Sequence, residues 1–156
     1  MTIQKVKEFF KKYGLEEKVL EFDSSSATVE LAAQALGCNP ARIAKTISFV
    51  VNAKPVLVVA AGDAKVDNAK FKAFFNTKAK MIPPEEVEKL TGHAVGGVCP
   101  FAVNPDAAVY LDVSLKRFQT VFPACGSSNS AIELTIQELE KYSSSQAWID
   151  VCKEWQ

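Results

Sequence analysis

The chain carries a single histidine, His93, and four widely separated cysteines. Cys38, Cys99, Cys125 and Cys152 form no CxxC pair, which argues against a zinc ribbon and a thioredoxin-type redox motif. One histidine also rules out an HExxH metal helix, and neither a GxxxxGK[ST] loop nor a GxGxxG turn is present. No metal and no cofactor are therefore expected. Excess charge is missing too: 18 Lys and Arg balance 18 Asp and Glu, so no global field draws the protein to nucleic acid or membrane. A polyanionic partner needs a local basic patch. No apolar run approaches the about 20 residues that span a bilayer. The N-terminal MTIQKVKEFFKKYG has no apolar signal stretch and reads as a helix. The expectation is a cytoplasmic protein whose thiols are reduced and packed as small hydrophobes.

What is present fits one globular domain over residues 1–156, since 48 % of residues are apolar and 23 % charged, enough for a proper core. The most informative stretch is 41–62, ARIAKTISFVVNAKPVLVVAAG. It reads as a short helix, begun by Asn39 and Pro40, that gives way to two core strands joined by a turn over Asn52–Pro55. Lys45 stands at the join of helix and sheet, where the helix dipole favours a cation, so an ordinary terminal lysine is one reading and a site lysine the other.

Around that centre, residues 3–13 read as an amphipathic helix with Ile3, Val6, Phe9, Phe10 and Tyr13 inward, and Leu15–Phe22 as a connector or short strand. The polar run Ser24–Thr28 caps a helix over TVELAAQAL that ends at Gly37. A helix over Asp67–Phe75 is anchored by Phe71, Phe74 and Phe75. Lys65, Lys70, Lys72, Lys78 and Lys80 crowd this region, either as a solvated face or as a phosphate-contact surface.

Met81-Ile82 reads as a short strand, and Pro83–Leu90 as a proline-led helix. The stretch TGHAVGGVCPF follows. With three glycines and Pro100 it forms no regular element, and is either a plain long turn or a loop that lets a ligand approach the backbone. His93 and Cys99 also permit a thiol–imidazole pair. Strands are expected at Ala108–Asp112, Thr120–Phe122 and Ala131–Leu134. Between the last two, Pro123–Asn129 is a small-residue loop that suits a hairpin or an anion or carbonyl-oxygen site. Thr135 and Glu138 make a capping box, and a last helix after Ser145 places Trp148, Val151, Cys152 and Trp155 on one face. Strands and helices mix without clean βαβ alternation. The predicted fold class is α/β of mixed α+β character, a curved mixed sheet surrounded by helices.

Four segments in order, VELAAQALG with RIAKTISFVV, KPVLVVAAGDAKVD, TGHAVGGVCPF and FPACGSSNSAIEL, resemble the YbaK-like aminoacyl-tRNA deacylases. These are free-standing relatives of the editing domain of bacterial prolyl-tRNA synthetase, and the resemblance covers about residues 25–140. It implies hydrolysis of the ester on a mischarged tRNA, most often tRNA for proline carrying alanine or cysteine, as a second sieve. The family's pocket lysine corresponds to Lys45, its GxxxP loop to Gly96–Pro100, and its Gly/Ser turn to Gly126-Ser127-Ser128. Lys45, Gly96 and Gly97 are then the catalytic candidates; Thr46, Pro100, Gly126, Ser127, Ser128 and Asn129 bind substrate; Lys65, Lys70 and Lys72 contact tRNA. Prolyl-tRNA synthetase or an elongation factor is the implied partner. The alternative is a non-catalytic module that holds an aminoacyl-tRNA or a nucleotide as a synthetase partner.

Overall fold

Runs of β-branched residues interrupted by short polar turns make the strands, and capped amphipathic stretches make the helices. The computed structural model describes residues 2–155. Its elements are α1 (Thr2–Lys11), β1 (Leu20–Glu21), α2 (Val29–Leu36), β2 (Ile43–Val51), β3 (Lys54–Ala61), β4 (Lys65–Val66), α3 (Asn68–Phe75), α4 (Pro84–Thr91), β5 (Ala108–Asp112), β6 (Thr120–Pro123), β7 (Ser130–Ala131), β8 (Leu134–Thr135), α5 (Ile136–Ser143), β9 (Ala147–Ile149) and β10 (Cys152–Lys153). Single 3₁₀ turns lie at Glu16–Lys18, Pro40–Arg42 and Val113–Arg117.

The six-stranded sheet has the order β8-β6-β2-β3-β5-β9. β2 and β3 are an antiparallel hairpin, while β6 runs parallel to β2, β5 to β3 and β9 to β5. This is the curled mixed sheet with surrounding helices that the sequence predicts. β3 is buried on both faces, with Leu57 through Ala61 all fully inaccessible. That explains why its sequence is apolar without alternation. Phe10 of α1 packs edge-on against Phe101 and Tyr142, which fixes α1 over the far side of the core.

Local chemistry explains most boundaries. Thr28 Oγ1 accepts from Leu31 N at 3.1 Å to start α2, and Asp67 caps α3. Thr135 and Glu138 complete the predicted capping box on α5. The β2–β3 turn is tighter than expected. Asn52 and Ala53, at φ 53° and 64°, form a two-residue hairpin, and Pro55 already lies in β3 opposite Val50.

Four expectations are corrected. The helix before Lys45 is one 3₁₀ turn ending at Arg42, so Lys45 is the third residue of β2 and no helix dipole acts on it. The last helix is absent. Ala147–Ile149 pairs with β5 and Cys152–Lys153 with β4, because unpaired strand edges there offer backbone partners that outweigh the helical spacing of the apolar residues. The predicted strand Ala131–Leu134 is split between β7, which pairs with β1, and β8, which pairs with β6. Tyr13 and Phe74, expected inward, are 45 % exposed.

Candidate active-site cleft

A cleft of about 350 Å³ opens between β2, the N-terminus of α2, the start of α4 and the loops 94–98 and 124–131. Its lining is mainly aliphatic, including Val29, Ile43, Ile47, Ile82, Val87 and Val98, with Phe122. Lys45 is the one charged side chain on it, and no carboxylate or imidazole lines it among the described residues.

Lys45 is half-buried. Its Nζ donates to the carbonyls of Ala64 and, at 3.4 Å, Gly62, which close the turn after β3. Removal from water pushes its pKa below 10.5, partly offset by Cys152 and Asp63 nearby. Three ammonium hydrogens and two carbonyls leave one donor for a ligand. Thr46, also on the cleft, has a buried hydroxyl with no hydrogen-bond partner.

The two glycine loops meet beside these groups. A Cβ placed on Gly97 would lie 2.7 Å from the carbonyl carbon and oxygen of Gly126 and 2.8 Å from Ser127 Cα, so the backbones touch at a distance only glycine permits. Gly96, at φ 88°, turns its backbone onto the cleft.

Gly97 itself is buried behind the joint, and its N–H is engaged with Ala94 O at 3.0 Å. The Gly126 N–H is directed at the Cys99 sulfur. Pro100 is buried and stiffens the loop from behind. Ser127 Oγ–H donates to Asn129 Oδ1 at 2.9 Å and lies 2.7 Å from Ser130 Oγ. Asn129 Nδ2 donates to Phe22 O at 3.0 Å. Ser128 O accepts from the N–H of Ser26 at 2.6 Å and from its hydroxyl at 3.2 Å.

So of the nine predicted catalytic and substrate-binding residues, Lys45, Thr46 and Gly96 line the cleft, while the other six build its frame. What sequence reasoning missed is the strap 26–28 and Ser130, which also line it. The signal was there. Ser24–Thr28 holds more hydroxyls than one helix cap requires, and the surplus ties the strap to the 126–130 loop.

The basic region is uneven. Lys65 and Lys72 are exposed, but Lys70 donates to Asp150 Oδ1 at 3.1 Å and Cys152 O at 3.0 Å, anchoring the C-terminal strands. His93 and Cys99 do approach, with Nε2 and Sγ 3.5 Å apart. Both are fully buried and neither lines the cleft. His93 Nε2 lies 2.7 Å from Phe101 O, and burial pushes the Cys99 thiol up to about 12, the opposite of a poised nucleophile.

Fold and cleft define a binding domain with an apolar slot, one cation and a glycine-built joint on a curled mixed sheet. A family model described as the aminoacyl-tRNA editing domain matches residues 23–142, and the chain belongs to that family. It is 56 % identical over 157 residues to the YwhH protein of Bacillus subtilis (strain 168), covering all of both chains. It is 30 % identical over 109 residues to EbsC of Enterococcus faecalis (strain ATCC 700802 / V583), 69 % of this chain and 66 % of that one. EbsC bears the provisional name Cys-tRNA(Pro)/Cys-tRNA(Cys) deacylase. A crystal structure provisionally described as a trans-editing enzyme for prolyl tRNA synthetase superposes with a TM-score of 0.87 at 29 % identity, covering 97 % of each chain.

Proposed function

We propose that this protein is a trans-editing deacylase that hydrolyses the ester between a wrong amino acid and the 3′ end of a tRNA, with tRNA for proline carrying alanine or cysteine as the first candidates. The observation that carries this reading is Lys45, the one cation on an apolar cleft among the described residues, with the Gly96 backbone on the same cleft. Family membership supports the aminoacyl-tRNA chemistry. The names of EbsC and of the superposable trans-editing structure support proline tRNA.

Ester hydrolysis asks for a held carbonyl, a nucleophile and donors for the oxyanion. The remaining Lys45 donor orients the ester or the adjoining phosphate and ribose, and the Gly96 backbone is the donor offered to the developing negative charge. With no carboxylate or imidazole on the cleft, the nucleophile is a water whose proton is taken by a group of the substrate itself, its amino group or free ribose hydroxyl. Attack gives a tetrahedral intermediate, and its collapse frees the amino acid and returns the ribose hydroxyl. An aliphatic pocket rejects a larger side chain by exclusion and separates near-isosteres only weakly, as a second sieve does. Exposed Lys65 and Lys72 carry the tRNA backbone contact. With the net charge at zero, a synthetase or elongation factor assists delivery.

The test is deacylation of tRNA for proline charged in turn with alanine, cysteine, serine and proline, by wild type and Lys45→Ala. Expected is hydrolysis of one mischarged species with proline spared, and loss in the variant. No hydrolysis at enzyme excess overturns the enzymatic reading, and saturable binding without turnover would then identify a binding module.

A further inference from the structure

Two of the residues around the cleft are in water rather than in the core. Met81 is 63 % exposed and Val95 61 %, and they are the two most exposed large apolar side chains among the described residues. The other exposed ones, Tyr13, Leu20, Leu31 and Phe74, lie off the cleft. A scattered exposed apolar side chain needs no explanation, but these two both line the same cleft.

Their exposure is held by backbone rather than by looseness. Residues 80–82 run along the outer edge of β2, with Val50 N donating to Lys80 O at 2.8 Å, Ile82 N to Ser48 O at 3.1 Å, and Met81 bridged to Phe49. Val95 sits inside the turn closed by Gly97 N and Ala94 O at 3.0 Å. One comes from the β2 edge and one from the glycine loop.

We propose that Met81 and Val95 form a clamp for the terminal nucleobase of the substrate, the adenine of the tRNA 3′ end. This rests on the deacylase reading above. In an aminoacylated terminal adenosine the ester and the base are carried by one ribose ring. When the ester enters the cleft toward Lys45, the base is left one ring away, at the mouth where these side chains stand. A nucleobase presents a flat π-face that stacks on apolar side chains without regard to sequence. The methionine thioether is adaptable and packs well against aromatic rings. A lysine or carboxylate at these positions would not do this, and neither is there.

The experiment measures fluorescence anisotropy of a 5′-labelled CCA trinucleotide and of the same oligonucleotide ending in a base-free ribose. Wild type, Met81→Ser and Val95→Ser are compared; both residues are exposed, so the substitutions leave the core intact. Wild type is expected to prefer the adenine end, and each substitution to weaken that binding about 2- to 10-fold. Base-free binding should not change. With aminoacylated substrate the variants should raise KM and keep kcat.

Equal wild-type affinity for both oligonucleotides, no binding of either, or the same loss on both in the variants overturns the clamp. Failure of the deacylase reading looks different. Base preference without turnover faults the reaction and keeps the clamp, whereas turnover without base preference does the reverse.

Discussion

Replacing Gly97 by alanine tests the joint between the two glycine loops. Gly97 is not among the glycines with positive φ, so its backbone accepts alanine without conformational cost. The whole penalty comes from steric overlap. The added carbon would sit 2.7 Å from two atoms of Gly126 and 2.8 Å from Ser127 Cα, where nonbonded carbons normally rest near about 3.5–4.0 Å. All three are backbone atoms, which cannot rotate aside, so the loops must part by about 1 Å. Overpacking of this kind costs about 1–3 kcal/mol. A domain of this size loses about 2–4 °C of Tm per kcal/mol, so the expected drop lies between about 2 and 12 °C.

The functional loss should be larger than the stability loss, because misplacing positioned groups by about 1 Å costs up to about 100-fold in rate. Gly14→Ala is the matched control. Gly14 has φ 72° and nothing within 4 Å of an added carbon, so it bears a purely conformational cost of about 1–2 kcal/mol. Thermal unfolding and single-turnover deacylation, both at a temperature where all variants are folded, give the comparison. If Gly97→Ala keeps the Tm and rate of wild type, the loops do not touch. If it matches Gly14→Ala in both, the joint does not position the chemistry.

The remaining expectations concern the thiols, the lysine and the basic surface. Cys99, fully buried and pushed up to about 12, is a neutral thiol at pH 7, so Cys99→Ala keeps deacylation; loss of activity in a folded Cys99→Ala protein would restore a thiol mechanism. Deacylation that depends on the Lys45 ammonium falls as pH rises through its lowered pKa. Stability moves the other way: between that value and 10.5 the unfolded chain binds more protons, so unfolding free energy rises with pH. The difference between wild type and Lys45→Met isolates both slopes, and parallel profiles would remove Lys45 from the chemistry. Lys65→Glu with Lys72→Glu should weaken tRNA binding and flatten the plot of log K against log salt by about 0.7 to 0.9 for each phosphate the protein no longer neutralises; an unchanged slope discards that surface.

Local signals were readable in the sequence, and long-range ones were not. The β2–β3 hairpin, the cap at Thr28 and the capping box at Thr135 rest on neighbours a few residues apart, and all stand where residue chemistry puts them. The spacing of Trp148, Val151, Cys152 and Trp155 suits a helix equally well, and only the free edges of β5 and β4 make it two strands. The same limit applied to the site. Lys45 and Gly96 were visible as residues. That the Ser127–Asn129 segment braces a strap from residues 22–28 depends on hydrogen bonds about a hundred residues apart, which periodicity does not encode.

The C-terminal strands have a consequence for synthesis. Asp112 is fully buried; its carboxylate accepts Val151 N at 2.9 Å and Ser114 N at 3.0 Å, and Ser114 Oγ in turn accepts Ala61 N at 3.1 Å. That chain of hydrogen bonds ends at the turn whose carbonyls seat Lys45, and β10 closes over the same turn by pairing with β4. The residues that finish the seat are therefore made long after the lysine that occupies it. A nascent chain still inside the ribosome exit tunnel beyond residue 142 holds every residue of the family match and an unfinished cleft. Lys45 is thus seated only once residues 151–153 have left the exit tunnel and paired with Asp112 and β4.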